Sequence, residues 1–342
     1  MGSRDKRIRR WLILAVFAVL VVGVVVHFAP RYLYSEFGHL ALSPAQDQMK
    51  PAELARLRAK LAGLQGKIAW SSSRSGNHEL YLYSLPDLTL YQLTKNQFVD
   101  YFPRFSPDGR SLVFARSQKP WVSEREVAPW DTWLLDLASG REKLLVKNAN
   151  MANWVDGHTI LFVRGGTEVR TLDLATGQEK LLLDGGAPPV EAKIFTPMLD
   201  PRDHNLLAFT GRGRLNGVFT LNLTTHQFLG FGDGCEMGFS PDGHWVMWVW
   251  NQGQGGTSIV KSRPDQPGRE VFMDLPGPYS HEYFFRLSRN MRWLVWCGSA
   301  GGHEHDIADY EVFLWNTADP PREALRLTYN PANDRWPDIH LD

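Results

Sequence analysis

The sequence contains very little cysteine, and this shortage restricts the classes of protein it can belong to. Its two cysteines, Cys235 and Cys297, are far apart and form no CxxC pair in a chain of 342 residues. Such a pattern excludes a zinc ribbon and a disulfide-dense scaffold. We expect two unpaired, buried thiols, with one disulfide between them as the alternative.

An excess of basic residues is also missing. Lysine and arginine total 37, and aspartate and glutamate total 37. Residues 1–10 hold five basic residues and one acidic residue, a net charge of +4, so residues 11–342 carry −4. Nucleic-acid binding needs clustered lysine and arginine to replace the counterions of phosphates. The composition therefore predicts a protein that does not bind nucleic acid.

The motifs of the common enzyme classes do not occur. The sequence has no Walker loop, no GxGxxG and no HExxH. Its nearest approach to the GxSxG nucleophile elbow is CGSAG at residues 297–301, where a cysteine replaces the first glycine and a strand is expected. We therefore predict no catalytic residue, no cofactor and no enzymatic activity.

One long apolar run lies near the N-terminus. Residues 11–28, from Trp11 to Phe28, carry no charge except a possible one on His27. At about 1.5 Å per residue, a helix of this length spans about 27 Å, close to the hydrocarbon core of a bilayer. Residues 27–31 read HFAPR, and these bulky groups disfavour the alternative, a cleaved signal peptide. We predict a transmembrane helix over residues 11–29.

The charges around this helix predict its orientation. The segment of residues 1–10, which carries the five basic residues, should remain in the cytoplasm by the positive-inside rule. The residues after the helix should then lie on the exported side. The predicted location is the bacterial inner membrane, with one span, a cytoplasmic N-terminus and a periplasmic body.

Residues 30–65 are predicted to be a stalk that contains a short amphipathic helix. Leu54, Leu57, Leu61 and Leu64 recur at spacings of three and four, which places them on one face of that helix. We expect this face to pack on the side of the following domain. The alternative is a helix that lies on the membrane surface or against a partner.

An internal repeat dominates the remainder of the chain. FSPDGRSLVF (residues 105–114) and FSPDGHWVMW (residues 239–248) are nearly identical, and each is typical of a strand, a tight turn and a second strand. Weaker copies have turns near residues 156, 202 and 289. The spacing of about 40–50 residues is that of a four-stranded propeller blade.

The number of blades follows from a count of the predicted third strands. There are six, at residues 79–83, 133–137, 169–174, 218–223, 257–261 and 311–315. Only five first strands lie between them. The frame LTKN…D…PRF (residues 93–105) recurs as LTYN…D…PDI (residues 327–339), so residues 336–341 should supply the missing strand. We predict an all-β, six-bladed propeller over residues 66–342, closed by strands from both ends, which protects the sheet edges that an open propeller would expose.

The same residues carry a resemblance to a known family. IAWSSSRSGNHELYLY (residues 68–83), YQLT (residues 91–94) and FSPDGRSLVF resemble the PD40, WD40-like repeat of TolB-type propellers. The resemblance implies a six-bladed propeller over residues 66–342, but such blades serve scaffolds, sensors, lyases and peptidases alike. Residues 30–65 leave too little room for the additional N-terminal domain of TolB. We therefore expect a membrane-anchored member of the family and not TolB itself.

A polar cluster stands out in the sixth predicted blade. Residues 301–309 contain His303, Glu304, His305, Asp306 and Asp309. They should form an insert between the second and third strands, at one rim of the ring near the central channel. We interpret the five side chains as a possible partner-contact loop. His303, His305 and Asp306 are weak candidates for metal ligands, and a polar loop bonded to neighbouring blades is a further alternative.

Two functional hypotheses remain open. The first is a non-enzymatic scaffold that binds protein partners in or at the membrane, as an accessory subunit of an envelope or energy-transducing complex. The second is a lyase-like enzyme, or a sensor that binds a ligand or metal, acting on an exported glycan or small molecule.

Overall fold

The computed structural model describes residue 47 and residues 49–341. The predicted transmembrane segment, residues 11–28, lies outside these residues. No helix in the described part of the chain combines the length and the apolar character needed to cross a bilayer.

Strands make up most of the described chain. Helix α1 covers Pro51–Lys60, and a short 3-10 turn covers Pro321–Glu323. The first half contains strands β1 Gly66–Ser72, β2 Glu79–Leu85, β3 Thr89–Gln92, β4 Asp100–Phe105, β5 Ser111–Ser117, β6 Trp130–Asp136, β7 Glu142–Val146, β8 Ala149–Trp154, β9 Thr159–Arg164, β10 Glu168–Asp173, β11 Glu179–Asp184 and β12 Ala192–Leu199. The second half contains strands β13 Leu206–Gly213, β14 Gly217–Asn222, β15 Phe228–Gly232, β16 Cys235–Phe239, β17 Val246–Trp250, β18 Ser258–Arg263, β19 Gln266–Met273, β20 His281–Leu287, β21 Trp293–Ser299, β22 Glu311–Asn316, β23 Leu325–Arg326 and β24 Asp334–Leu341.

Within residues 49–341 these strands form six antiparallel sheets of four strands each. Blade one has the order β24-β1-β2-β3, and blades two to six follow in chain order as β4–β7, β8–β11, β12–β15, β16–β19 and β20–β23. The predicted six-bladed propeller is therefore confirmed. Neither cysteine forms a disulfide in the described residues; Cys297 is buried and Cys235 is partly exposed.

The ring is closed by strands from opposite ends of the described chain. Strand β24 pairs antiparallel with β1, with Ile339 opposite Ile68 and Asp334 opposite Ser72. The repeat predicts this strand at residues 336–341, and it begins two residues earlier. Because β24 also contacts β4 of blade two and β20 of blade six, its loss would break the ring on both sides.

Helix α1 packs on the propeller. Leu57 and Leu61 are fully buried in its core, and Leu54 and Leu64 are partly buried against it. The Arg58 guanidinium donates hydrogen bonds of 3.1 and 3.2 Å to a backbone carbonyl in the turn between β2 and β3. The leucine face therefore lies on the propeller rather than on a membrane surface.

Each innermost strand contains a β-bulge at the same level of the channel. The regular pairing of each strand shifts there, and one non-glycine residue adopts a positive φ. We call these six residues the bulge ring: Phe102, Met151, Thr196, Glu236, Phe284 and Trp336. Non-glycine residues adopt such a φ at a cost of about 1–2 kcal/mol, and a bulge redirects its side chain. Here the bulges turn these side chains towards the channel.

Candidate functional site: the channel mouth on the loop face

Two long loops meet over one end of the channel. Residues 118–129 join β5 to β6, and residues 300–310 join β21 to β22, whereas residues 73–78 suffice for the equivalent connection in blade one. Arg125 and Glu304 form an exposed ion pair of 2.5 Å between the two loops, and Ser123 donates a hydrogen bond to Asp306. We call this end of the propeller the loop face.

Glu124 is the centre of the contacts beneath these loops. Its Oε1 pairs with Nδ1 of His305, and its Oε2 accepts hydrogen bonds from Nη1 of Arg335 at 3.2 Å and from the indole of Trp336 at 2.7 Å. The carboxylate is only 5% exposed. One buried acid therefore connects both loops with the closing strand β24.

The Glu124 carboxylate is held in its ionised form. Burial alone would raise its pKa, but the charges of His305 and Arg335, with hydrogen bonds from His305 and Trp336, lower the pKa to about 2. Arg335 is fully buried and also pairs with Asp306 at 3.3 Å. Since a buried charge is costly without a partner, these groups should stabilise the loop face as one unit.

The five predicted loop residues have different environments. His305 and Asp306 turn inward to Glu124, Ser123 and Arg335, as described above. His303 is exposed, and its ring stacks on that of His281 with a centroid distance of 6.3 Å. Glu304 and Asp309 are exposed to solvent.

The three weak metal candidates do not converge. His303, His305 and Asp306 each have a separate partner, and no group of three or more histidine, cysteine, aspartate or glutamate side chains in residues 47 and 49–341 is arranged to hold a metal ion. The alternation of imidazoles and carboxylates along the chain indicated proximity, but His303 stacks on His281 of β20, whereas His305 and Asp306 bond to residues of the loop 118–129.

A hollow of about 480 Å³ opens at the channel mouth beside the loops. Its apolar lining comes from Phe102, Met151, Phe195, Tyr283 and Trp336. Its basic lining comes from Arg125, Lys193, Arg212, His303 and His305, against the two acids Glu124 and Glu236. Since Glu124 and Arg125 already belong to ion pairs, Lys193 and Arg212 are the side chains that supply positive charge to the hollow.

Glu236 belongs to the bulge ring and lines this hollow. Its Oε2 accepts the backbone N–H of Phe284, whereas its buried Oε1 has no partner within the described residues. Burial raises the pKa of Glu236 to about 7, although the charge of His305 and the Phe284 hydrogen bond act in the opposite direction. A carboxyl group of this pKa changes its protonation state near neutral pH.

Two large hydrophobic side chains are exposed on the two loops of the loop face. Trp121 is 61% exposed and Ile307 is 81% exposed, one on each loop, and both line a neighbouring hollow of about 270 Å³. We call these two residues the loop-face patch. The other large hydrophobic side chains that are exposed in the described part of the chain, Leu181 and Val271, lie on the outer strands β11 and β19.

The sequence reasoning missed Glu124, Arg335 and the loop-face patch. The length of the connection between β5 and β6 could have pointed to the first loop. This connection, residues 118–129, is twice as long as the six-residue connection in blade one. No local pattern could pair Glu124 with Arg335, which follows it by 211 residues.

Comparisons with known proteins agree with this architecture. No family model matches the chain. A stretch of 47 residues is 47% identical to the Tol-Pal system protein TolB of Geobacter sulfurreducens; it covers 14% of this chain and 11% of that protein. The chain therefore spans only a small part of this curated relative's length.

Solved structures extend the likeness over most of the propeller. TolB from Acinetobacter baumannii superposes with a TM-score of 0.59 at 16% identity, over 82% of this chain and 68% of the other. A putative TolB from Agrobacterium tumefaciens gives a TM-score of 0.55 at 15% identity, over 82% of this chain and 99% of the other. Both of these structural neighbours are TolB-like proteins, and what the chain shares with them is the propeller fold.

Proposed function

We propose that this TolB-like propeller is a non-enzymatic interaction module that binds a segment of a partner protein on its loop face. The observation that carries the proposal is the loop-face patch, Trp121 and Ile307, which lines the 270 Å³ hollow on the same face as the 480 Å³ hollow at the channel mouth. Exposed aromatic residues that lie beside a pocket are typical of the few side chains that supply most of the energy of an interface.

The lining of the hollow defines the chemistry of the partner. Phe102, Met151 and Trp336 offer an apolar floor, while Lys193 and Arg212 supply positive charge. Complementary charge favours association and selects between partners. The expected partner is therefore a protein that presents an acidic segment with an apolar or aromatic side chain.

The network beneath the loops supports the same role. Glu124 ties residues 118–129 and 300–310 to β24 through His305, Arg335 and Trp336. A surface that is ordered before binding loses less conformational entropy when the partner arrives. The loop face can therefore bind a partner without first ordering its own loops.

We propose that the N-terminal segment holds this module at a membrane. Residues 11–28 anchor the chain in the bacterial inner membrane, and the propeller lies on the periplasmic side as an accessory subunit of an envelope complex. The apolar run, its basic flank and the likeness to a protein named for the Tol-Pal system support this placement. The alternative of a lyase-like enzyme or metal sensor depended on His303, His305 and Asp306, whose side chains do not converge.

Two double variants test the proposal. Trp121→Ser with Ile307→Ser removes the loop-face patch, and Leu181→Ser with Val271→Ser is the matched control on the outer strands. Full-length proteins are purified in mild detergent from native membranes. Wild type and control should retain the same partner in a fixed stoichiometry, and the patch variant should lose at least about 90% of it, as expected when hot-spot side chains are removed. Equal recovery by the patch variant would refute the proposed surface.

A further inference from the structure

The hollow of about 480 Å³ on the loop face contains a buried acid whose hydrogen bonding is incomplete. Glu236 lines this hollow and is 5% exposed. Its Oε2 accepts the backbone N–H of Phe284, and its Oε1 has no hydrogen-bond partner within residues 47 and 49–341. A buried polar atom without a partner is costly. A ligand that donates to Oε1 would therefore gain a bond that the protein alone does not make.

The charged groups around Glu236 do not neutralise it. The charges that act most on it are those of His305, Glu124 and Arg286. His305 and Glu124 form an ion pair with each other. Burial lowers the pKa of Arg286, and the charge of Asp338 opposes this shift more than that of Glu236 does. The Glu236 carboxylate belongs to no ion pair of the described residues, so it remains available to a cationic donor.

Two cations lie directly opposite each other at the rim of the same hollow. Lys193 on β12 is the cross-strand partner of Arg212 on β13, and both side chains line the hollow. Like charges in this arrangement repel each other. Arg212 donates to two backbone carbonyls, one of them that of Gly234, at 2.8 Å. Neither cation has an ion pair within the described residues, whereas Arg214, two positions further, pairs with Glu191.

The acid and the cations are close enough for one small ligand to reach both. Gly234, whose carbonyl binds Arg212, precedes Glu236 by two residues, about 7 Å along an extended chain. In an α-amino acid, two bonds of about 1.5 Å join the nitrogen to the carboxylate carbon, and hydrogen bonds of about 2.8 Å at both ends extend this to about 8 Å.

The remaining lining of the hollow is suited to an apolar side chain. Its volume of about 480 Å³ is typical of a small-molecule site. The apolar residues of the lining are Phe102, Met151, Phe195, Tyr283 and Trp336. Large aromatic side chains of this kind bury an apolar ligand well.

We propose that the hollow binds a free α-amino acid with a large apolar side chain, whose ammonium donates to Glu236 and whose carboxylate lies against Lys193 and Arg212. A zwitterion supplies a partner for both charges, whereas a simple anion or a simple cation leaves one of them unpaired. The ligand goes beyond the proposed function, and when bound it would exclude the partner's apolar side chain from the hollow. The loop-face patch lines a different hollow, so the two proposals can be tested separately.

Isothermal titration of the full-length protein in detergent tests this site with three probes that share a phenyl ring. The titrations are made at about pH 8, above the pKa of about 7 that burial gives Glu236, so that its carboxyl group is ionised. Phenylalanine should bind saturably. Hydrocinnamate, which lacks the ammonium, and phenethylamine, which lacks the carboxylate, should each bind at least about tenfold more weakly.

The charges of the site are then changed one at a time, and the probe that does not use the changed charge reports on folding. Glu236→Gln should lower the phenylalanine affinity at least about tenfold and should not weaken the binding of hydrocinnamate. Lys193 is exposed, so Lys193→Met should not impair folding. This variant should bind phenylalanine at least about threefold more weakly and phenethylamine as wild type does.

Two matched controls carry the same changes at exposed positions that do not line the hollow. Glu126→Gln and Lys180→Met should bind all three probes as wild type does. Trp121→Ser with Ile307→Ser should also keep phenylalanine binding, so loss of the partner and loss of the amino acid are separate results. Equal binding of the three probes, no saturable binding of phenylalanine at millimolar concentration, or an unchanged preference for phenylalanine over hydrocinnamate in Glu236→Gln would overturn the proposal.

Discussion

The indole N–H of Trp336 donates a 2.7 Å hydrogen bond to Oε2 of Glu124, a residue 212 positions earlier in the chain. Trp336 lies on the strand that closes the propeller, and Glu124 lies on a loop of blade two. The same indole packs against Phe102 and Phe284 with centroid distances of 4.2 and 4.4 Å. Closure of the ring and the shape of the loop face are therefore coupled through one side chain.

Deletion of residues 336–342 should prevent stable folding. It removes most of β24, exposes the edge of β1 and leaves Glu124 without its indole donor. Open sheet edges and uncovered blade surfaces promote aggregation. Size-exclusion chromatography and circular dichroism should show aggregated or largely unfolded protein, whereas removal of residue 342 alone should change neither. A truncated chain that melts as the full chain does would show that β24 is dispensable.

Glu124→Gln should strongly destabilise the propeller. The change removes the negative charge from fully buried Arg335 and from His305. Loss of one partner of a buried ion pair costs about 3–5 kcal/mol. Urea unfolding should show this loss, while Glu126→Gln, the same change at an exposed position of the same loop, should shift stability by less than about 0.5 kcal/mol. Equal effects of the two changes would contradict the role of the network.

Glu236 should make stability decrease as the pH rises towards neutrality. Burial raises its pKa from 4.5 to about 7, so the folded state holds this proton more tightly than the unfolded chain. The corresponding stability is fully present below pH 4.5 and is lost as the pH rises through about 7. Urea midpoints at pH 5 and pH 8 should therefore differ less in Glu236→Gln than in wild type. If the urea midpoints at pH 5 and pH 8 differed as much in Glu236→Gln as in wild type, the pH dependence would belong to other groups.

The membrane anchor can be tested by fractionation. Because residues 11–28 should bury an apolar helix in the bilayer, the full chain should stay in the membrane fraction through high salt and alkaline carbonate. Protease added on the periplasmic side should digest the propeller. As the control, replacement of residues 1–29 by a cleavable secretion signal should release a soluble propeller. A soluble wild-type form that begins near residue 30 would refute a retained anchor.

The fold could be predicted from the sequence because the patterns that indicate it are local. The Ser-Pro-Asp-Gly turns at residues 106–109 and 240–243 mark hairpins, and their spacing gives the length of a blade. The recurrence of the frame at the C-terminus identified the closing strand, which the structure places at Asp334–Leu341. These features depend on turn chemistry and repetition, and both can be read in a single sequence.

The site was less accessible because its contacts join distant parts of the chain. FPRF (residues 102–105) and FFRL (residues 284–287) resemble ordinary core strands, and nothing in them predicts a β-bulge. The positive φ of Phe102 and Phe284 also has no local signal, since glycine or asparagine would be expected there. His305 was found by its unusual neighbours, but its partner Glu124 is set by the tertiary fold.

Site-specific photo-crosslinking in intact cells tests the loop-face interaction most directly. A photoreactive phenylalanine analogue replaces Ile307, which is 81% exposed, or Val271, the matched outer-strand position, which is 52% exposed. Irradiation should give one discrete adduct of higher mass at position 307 and none at position 271. Absence of an adduct at 307, or the same adduct at both positions, would contradict partner binding at the loop face.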